Sequence, residues 1–443
     1  MGTTARDGAA LTAEELHAFE RIEAGALSEL SAAVSRPTRA PLPWAEKMFT
    51  VGVTGTNGKT STTHLVAAMM RAAGHGVLTE STVGYFLNDQ QLDVPRTTRG
   101  YVGAMKRAVD AGALHSASEV TSAALGRGFA RVWRYDLGVF TNLTRDHVTE
   151  HGSWEHYLAS KAQLFIHLGP GTTAVLNAAD PAALLIEQVT PADVRRRFFA
   201  VPSRGQQLRD ADLVATSVDV SPDGTRVRLA PSEAAEQLGG ELQTAFIGEV
   251  FAENLLAAAL AGLSMPLPPE AVRRGAREAR LVPGRFELVS REPLVAVDFA
   301  HTPDALARTA DTARALAGNH RVIFVFGAGG GKDKPKRAPM GRAAGERADY
   351  VILTSDNPRH DDAGEIAAAL ASGARRGGRA HVRIELDRAR AIRQAIDLAQ
   401  PGDVVVVSGK GHETGQTIGD VTTPFSDAEQ VLMALGRPLA TSP

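Results

Sequence analysis

The chain has 443 residues, a formal charge of -2 at pH 7 and no cysteine. That length calls for two or three domains, and the near-neutral charge argues against a nucleic-acid binder or a polybasic membrane anchor. Lack of cysteine excludes disulfides, thiolate metal sites and cysteine nucleophiles, and no apolar run is long enough to span a bilayer. The first residues, Met-Gly-Thr-Thr-Ala-Arg-Asp, carry no apolar signal core, so a cytoplasmic protein is expected.

Thr12 to Ser35 reads as one helical segment, and Arg36-Pro-Thr-Arg-Ala-Pro-Leu-Pro43 as a Pro-rich link, so residues 1–47 form a short N-terminal segment. From 48 to 283, apolar strands alternate with helical stretches, as in an α/β sheet. Asp136–Thr141 and Thr173–Asn177 read as buried strands, and Phe251–Leu263 as an Ala/Leu-rich helix. The pattern breaks at Val282-Pro-Gly-Arg285. Beyond it, Leu294–Asp298, Arg321–Phe326, Tyr350–Thr354 and Asp403–Ser408 are strands separated by helical stretches, so 284–443 reads as a second doubly wound unit.

Val51-Gly-Val-Thr-Gly-Thr-Asn-Gly-Lys-Thr-Ser-Thr62 carries the strongest chemistry. A short apolar run enters a Gly-containing turn, and a helix follows with Leu65, Val66, Met69 and Met70 on one face. Backbone N–H groups of such a turn bind phosphate oxygens at the positive helix end. Lys59 would neutralise terminal phosphates and the Thr60 hydroxyl would hold Mg²⁺. The alternative is a Gly-rich turn with an incidental lysine, which the strand–loop–helix order disfavours.

Four further segments follow strands. Thr141-Asn-Leu-Thr-Arg-Asp-His147 places His147 where it can bind metal, with Glu119 upstream as an oxygen ligand; a structural histidine is the other reading. In Val297-Asp-Phe-Ala-His-Thr-Pro-Asp304, Asp298 can accept from ribose hydroxyls or belong to a helix cap opened by Thr302-Pro303. Phe326-Gly-Ala-Gly-Gly-Gly-Lys-Asp-Lys-Pro-Lys-Arg337 suits carboxylate or phosphate recognition, or is a solvated basic loop. Asp356-Asn-Pro-Arg359 and Gly409-Lys-Gly-His-Glu413 together can grip a zwitterion, which points to an amino-acid substrate.

Taken in order, Thr54–Thr60, Glu119–Ser122, Thr141–His147, Asp298–Leu306, Lys332–Arg337, Asp356–Arg359 and Gly409–Glu413 resemble the motifs of the Mur ligase family over roughly residues 48 to 430. The branch that adds the third residue of the peptidoglycan stem is most similar. The resemblance implies a central P-loop ATPase domain (48–283) and a C-terminal Rossmann-like domain (284–443), each an α/β doubly wound, mostly parallel sheet. It also implies an acid phosphorylated by ATP and then attacked by an amine. Gly55, Thr56, Asn57, Gly58, Lys59, Thr60 and Ser61 would cradle ATP, with Asn254, Arg285, Asp298 and His301 completing its site. Arg285 would reach the γ-phosphate on domain closure. Thr60, Glu119 and His147 would serve Mg²⁺. Lys161, otherwise an ordinary helix lysine, matches the family lysine that takes up CO₂ as a carbamate and helps hold a second Mg²⁺. Lys332, Asn357, Arg359, Gly409 and Glu413 would bind the amino acid, and Thr97, Thr98, Thr121 and Ser122 would line the acid side.

The departures cluster on the acid side. Residues 1–47 stand where a larger nucleotide-sugar domain is usual, so a truncated domain is expected. A Thr-Thr-Pro loop becomes Arg96-Thr-Thr-Arg99, Ser-Ser-His becomes Thr121-Ser-Ala123, and an arginine becomes Phe129. Near Asn254 an aromatic-Asn pair is Val250-Phe251, and Lys332 replaces an arginine. The leading expectation is therefore an ADP-forming acid–amino acid ligase acting on a non-standard acid. The alternatives are the UDP-N-acetylmuramoyl-dipeptide:diaminopimelate ligase and, in another class, a catalytically silent nucleotide-binding partner. In the enzyme readings the partners are small molecules, with no nucleic acid or membrane.

Overall fold

The computed structural model describes residues 43–131, 133–144, 151–203, 206, 209–331 and 334–438. The helix expected over Thr12–Ser35 lies outside them, as do His147 and Lys332. Two units form. Of the described residues, one holds those up to Asp219 with Thr225–Ala245 and Val250–Arg280; the other holds Val220–Gly224, Phe246–Glu249 and those from Leu281.

Apart from Val220, Ser221 and Gly224 at the β9–β10 turn, the strands β1 (Phe49–Thr54), β2 (Val77–Ser81), β3 (Gly84–Leu87), β4 (Gln90–Leu92), β5 (His115–Glu119), β6 (Leu137–Phe140), β7 (Thr173–Asn177), β8 (Arg195–Ala200), β9 (Leu213–Ser221), β10 (Gly224–Leu229) and β11 (Glu241–Thr244) belong to the first unit and join one sheet. Its order is β11-β10-β9-β8-β7-β6-β1-β5-β2-β3-β4. The run from β9 to β2 is parallel, while β2-β3-β4 and β10-β11 are antiparallel. β1 sits between β5 and β6, so the chain leaves it at the point where the winding reverses, the place where open α/β sheets bind ligands.

The helix Lys59–Ala72 departs from the single apolar face expected of it. Leu65, Val66, Ala67, Ala68, Met69 and Met70 are all buried, because the helix Pro269–Glu278 covers its outer side. The two helices touch at Gly275, where any Cβ would overlap the Met69 backbone. A helix enclosed all round needs apolar residues all round.

The second unit contains β12 (Glu287–Arg291), β13 (Leu294–Asp298), β14 (Val322–Phe326), β15 (Tyr350–Leu353), β16 (His381–Ile384) and β17 (Val404–Ser408) in the order β12-β13-β17-β14-β15-β16. All pairs are parallel except β12-β13. The Val-rich strands β14 and β17 are buried along their whole length, as continuous apolar runs in a doubly covered sheet must be. A separate hairpin, β18 (Gly415–Ile418) with β19 (Val421–Pro424), was not anticipated. Its residues are mostly polar and half-exposed or exposed, so they carry no buried-strand signal.

Candidate active site

In the first unit, β1 delivers the loop Gly55–Gly58 to the N-terminus of the helix Lys59–Ala72. Gly58 is the N-cap, with φ 84°, and no side chain caps that helix. By contrast, the helices starting at Thr98, Ser122 and Trp154 are capped by Thr97, Thr121 and Ser153. A helix start without a side-chain acceptor suits an external anion.

The stretch after β6 clamps the loop. Thr56 N donates to Asn142 O at 2.8 Å, Asn57 N to Asn142 Oδ1 at 2.9 Å, and Thr141 Oγ1 to Asn57 O at 2.7 Å. Thr144 N donates to Thr56 Oγ1 at 2.9 Å, and that hydroxyl also meets Tyr157 Oη at 3.2 Å. Asn254 closes the other side, where a Cβ on Gly58 would overlap its Oδ1. The loop thus sits in a fixed frame, which preorganised electrostatic stabilisation requires.

Charge converges on this frame. Lys59 Nζ donates to Thr56 O at 2.9 Å and lies 3.8 Å from Glu119 Oε1. Glu119, at the end of β5, accepts from Thr60 Oγ1 at 2.7 Å and from Thr82 N at 3.1 Å. Buried Lys161 reaches across from its helix, donating to Gly55 O at 2.6 Å with Nζ 4.3 Å from the Tyr157 ring centroid. Ser61 is buried in the first turn of the phosphate-loop helix.

Among the described residues no group of three His, Asp or Glu could hold a metal. Thr60 and Glu119 still offer two hard oxygens beside the loop, the donor set of a Mg²⁺ that keeps several waters and takes phosphate oxygens. The residues present therefore fit that ion.

On the expected acid side, Thr97 and Thr121 hydroxyls accept from Gly100 N and Ala124 N, so both are helix caps. Thr98 opens the helix behind Thr97. Ser122 Oγ lies 3.0 Å from His151 Nε2. Arg96 donates to Thr82 O. Beneath this loop, Glu80 pairs in register with Ser118 and Tyr85; burial and nearby Glu119 push its carboxyl up to about 8.

In the second unit the strand ends carry the chemistry. Asp298 accepts from Phe286 N at 2.8 Å, Ala300 N at 3.0 Å and Thr309 Oγ1 at 2.8 Å. Its carboxylate ties the loop to the following helix, in line with the cap reading. His301 Nδ1 is 2.8 Å from Phe299 O, and the Arg285 guanidinium stacks 4.5 Å from the Phe299 ring centroid.

Asn357 and Glu413 come together, Gly409 lies against Asp356, and Arg359 reaches Gly330. Asn357 Nδ2 donates to Glu413 Oε2 at 2.9 Å. Gly409, after β17, has φ 115°, and a Cβ there would lie 2.5 Å from Asp356 Oδ2. Arg359 Nη1 donates to Gly330 O at 3.0 Å. Lys410, to which the sequence reading assigned no role, is fully buried among them, 3.0 Å from Asn357 Oδ1 and 3.3 Å from Glu413 Oε2. Its place inside Gly409–Glu413 was the available signal.

Family models match in chain order: "Mur ligase middle domain" over residues 53–262 and "Mur ligase, glutamate ligase domain" over 284–411. The chain is 39% identical over 401 residues to the UDP-N-acetylmuramoyl-L-alanyl-D-glutamate–2,6-diaminopimelate ligase of Solibacter usitatus, covering 88% of this chain and 78% of that protein. A solved structure of an enzyme with the same name superposes with a TM-score of 0.61 at 30% identity, covering 88% and 78%. Mycobacterium tuberculosis folylpolyglutamate synthase shares the fold, with a TM-score of 0.64 at 21% identity over 96% of this chain and 98% of that one. The chain belongs to the Mur ligase family and is an ATP-dependent ligase that forms C–N bonds.

Proposed function

We propose that this protein joins an amino acid, diaminopimelate, to the carboxylate of a UDP-N-acetylmuramoyl dipeptide with cleavage of ATP to ADP. The observation that carries the amino-acid half is the grouping of Arg359, Asn357 and Glu413 in one unit, a cation and a carboxylate set apart for a zwitterion. The relatives' shared activity supports the acid half and weighs against the non-standard acid expected from the Arg96–Arg99 loop. One observation keeps that second reading in play: the Thr97 and Thr121 hydroxyls are engaged as caps.

Residues 48–283 are assigned the nucleotide chemistry and 284–443 the amino acid. Gly55 to Ser61 and Asn254 hold the phosphates, and Lys59 offsets charge as the γ-phosphoryl group passes to the acid. Thr60 and Glu119 would hold Mg²⁺, which would supply further charge neutralisation when bound. Lys161 is the lysine that takes up CO₂, and its burial against Gly55 O and Tyr157 puts it beside the loop. Arg285, Asp298 and His301 keep their assigned nucleotide roles, and His147 and Lys332 their assigned metal and amino-acid roles. The amine attacks the acyl carbon, the C–O bond to phosphate breaks, and the amine proton leaves with solvent. The test is phosphate release with the UDP-muramoyl dipeptide, diaminopimelate and ATP. Turnover dependent on all three supports the reading. Turnover only with smaller acids would transfer it to the second reading, and ATP binding without turnover would leave a silent binder. Rescue of Lys161→Ala by short carboxylates would support the carbamate.

A further inference from the structure

The amide of Asn357 is almost fully used by the protein itself. Its Oδ1 accepts from Lys410 Nζ and from Thr417 N, both at 3.0 Å, which fills both lone-pair directions. Its Nδ2 gives one hydrogen to Glu413 Oε2. One N–H remains. Lys410 is equally committed: it is 0% exposed, and its ammonium faces Asn357, Glu413 and, at 4.0 Å, Asp356 Oδ1. Two of its N–H groups are taken by protein acceptors, and its full burial shuts the ammonium off from a ligand.

The hairpin β18–β19 holds the same loop from outside. Arg359 has φ 51°, a left-handed conformation that costs a non-glycine residue about 1–2 kcal/mol. Two backbone bonds pin it there: Arg359 N donates to Thr417 O at 3.1 Å, and Gly419 N donates to Arg359 O at 2.8 Å. Gln416 Nε2 adds a bond to Asp356 O at 2.9 Å. The strain is thus held by the hairpin.

We infer that Lys410, Asn357 and the hairpin Gly415–Pro424 are a positioning device that sets the carboxylate of Glu413 and the guanidinium of Arg359 at a fixed separation for the incoming amino acid. This rests on the Proposed function for the identity of that amino acid and not for the network itself. Asn357 acts chiefly through Glu413. Glu413, half-buried, keeps Oε1 for the substrate ammonium while Oε2 is held. Arg359 is exposed and keeps most of its fork for a substrate carboxylate.

Two variants test this with meso-diaminopimelate and ATP as probes. Lys410→Met removes the ammonium at similar length; Thr417→Pro removes the backbone donor to Asn357 together with the hydroxyl bond to Thr422, and Thr417→Val, which loses the hydroxyl bond alone, is its control. The first two should each raise the KM for diaminopimelate about tenfold or more while the KM for ATP stays within about twofold, a split that general loosening of the fold would not give. Equal rises in both constants, or no rise in either, would overturn the inference. A wild-type enzyme that ignores diaminopimelate would remove the Proposed function alone, because a crystal structure of Lys410→Met tests the network without substrate. Glu413 should then have left Asn357. Its retention within hydrogen-bond distance, with Arg359 still at positive φ, would overturn the inference too.

Discussion

Gly58 and Asn254 stand in contact across 196 residues of sequence, so close that no side chain at position 58 can be fitted without displacing the asparagine. Gly58 also has φ 84°, and it is the N-cap of the phosphate-loop helix. Gly58→Ala should therefore abolish nucleotide binding and destabilise the fold by about 1–3 kcal/mol. Titration calorimetry with an ATP analogue and denaturant unfolding check the two parts. Unchanged affinity would show that the loop tolerates a different path.

Lys59→Ala should leave the fold intact, since the ammonium is partly exposed, donates to its own loop carbonyl and makes only a long ion pair with Glu119 at 3.8 Å among the described residues. Its loss from the phosphate site should lower kcat by about 10²–10³-fold, the usual cost of one preorganised charge at a developing anion. Steady-state rates and circular dichroism on the same preparation distinguish a silent, folded variant from a misfolded one.

Glu80 makes stability depend on pH. Its carboxyl is raised from 4.5 to about 8, first by burial and then by Glu119, so folding takes up a proton between these values. The stability it contributes is complete below the unfolded pKa and is lost as pH rises through about 8. Glu80→Gln keeps the neutral shape and should flatten that loss by about 1–3 kcal/mol between pH 5 and 8, given about 1.4 kcal/mol per pKa unit. Unfolding is to be followed in EDTA, because a cation at Glu119 would change the field. Parallel pH profiles for both proteins would contradict the assignment.

Arg388 and Asp427 form a doubly hydrogen-bonded pair at 2.7 Å with both side chains fully buried, and Arg388 also donates to Ser355 O and Ser408 O. Removing one partner strands the other charge. Arg388→Met alone should cost about 3–5 kcal/mol, and adding Asp427→Leu should recover much of it. Denaturant titration of the wild type, both single variants and the double gives the cycle; equal losses in the Arg388→Met and double variants would contradict the account.

Much of this architecture was legible because parallel strands buried on both faces read as unbroken apolar runs: Leu294–Asp298 and Thr173–Asn177 have the expected bounds. The strand–turn–helix from Phe49 to Ala72 was legible because the apolar run, Gly55, Gly58 and the helix that follows are contiguous in sequence. The clamp from Asn142 and Thr144 was not, since its bonds run between backbone groups and small polar side chains more than 80 residues apart. Lys410 was quoted within its motif without a role, because nothing in a lysine's identity announces full burial; the polar groups facing its ammonium come from two separate loops. Glu80 was missed for a related reason. A glutamate in Val77–Ser81 reads as a solvent-facing position until β3 and β5 are placed on either side.

The central claim is that the acid is activated as an acyl phosphate. With the UDP-muramoyl dipeptide labelled by ¹⁸O in its reacting carboxylate, mass spectrometry of the released phosphate reads the bond that breaks. One labelled oxygen in phosphate for each amide formed is the predicted result, because the acid's own oxygen leaves bonded to phosphorus. Amide formed with unlabelled phosphate would contradict it.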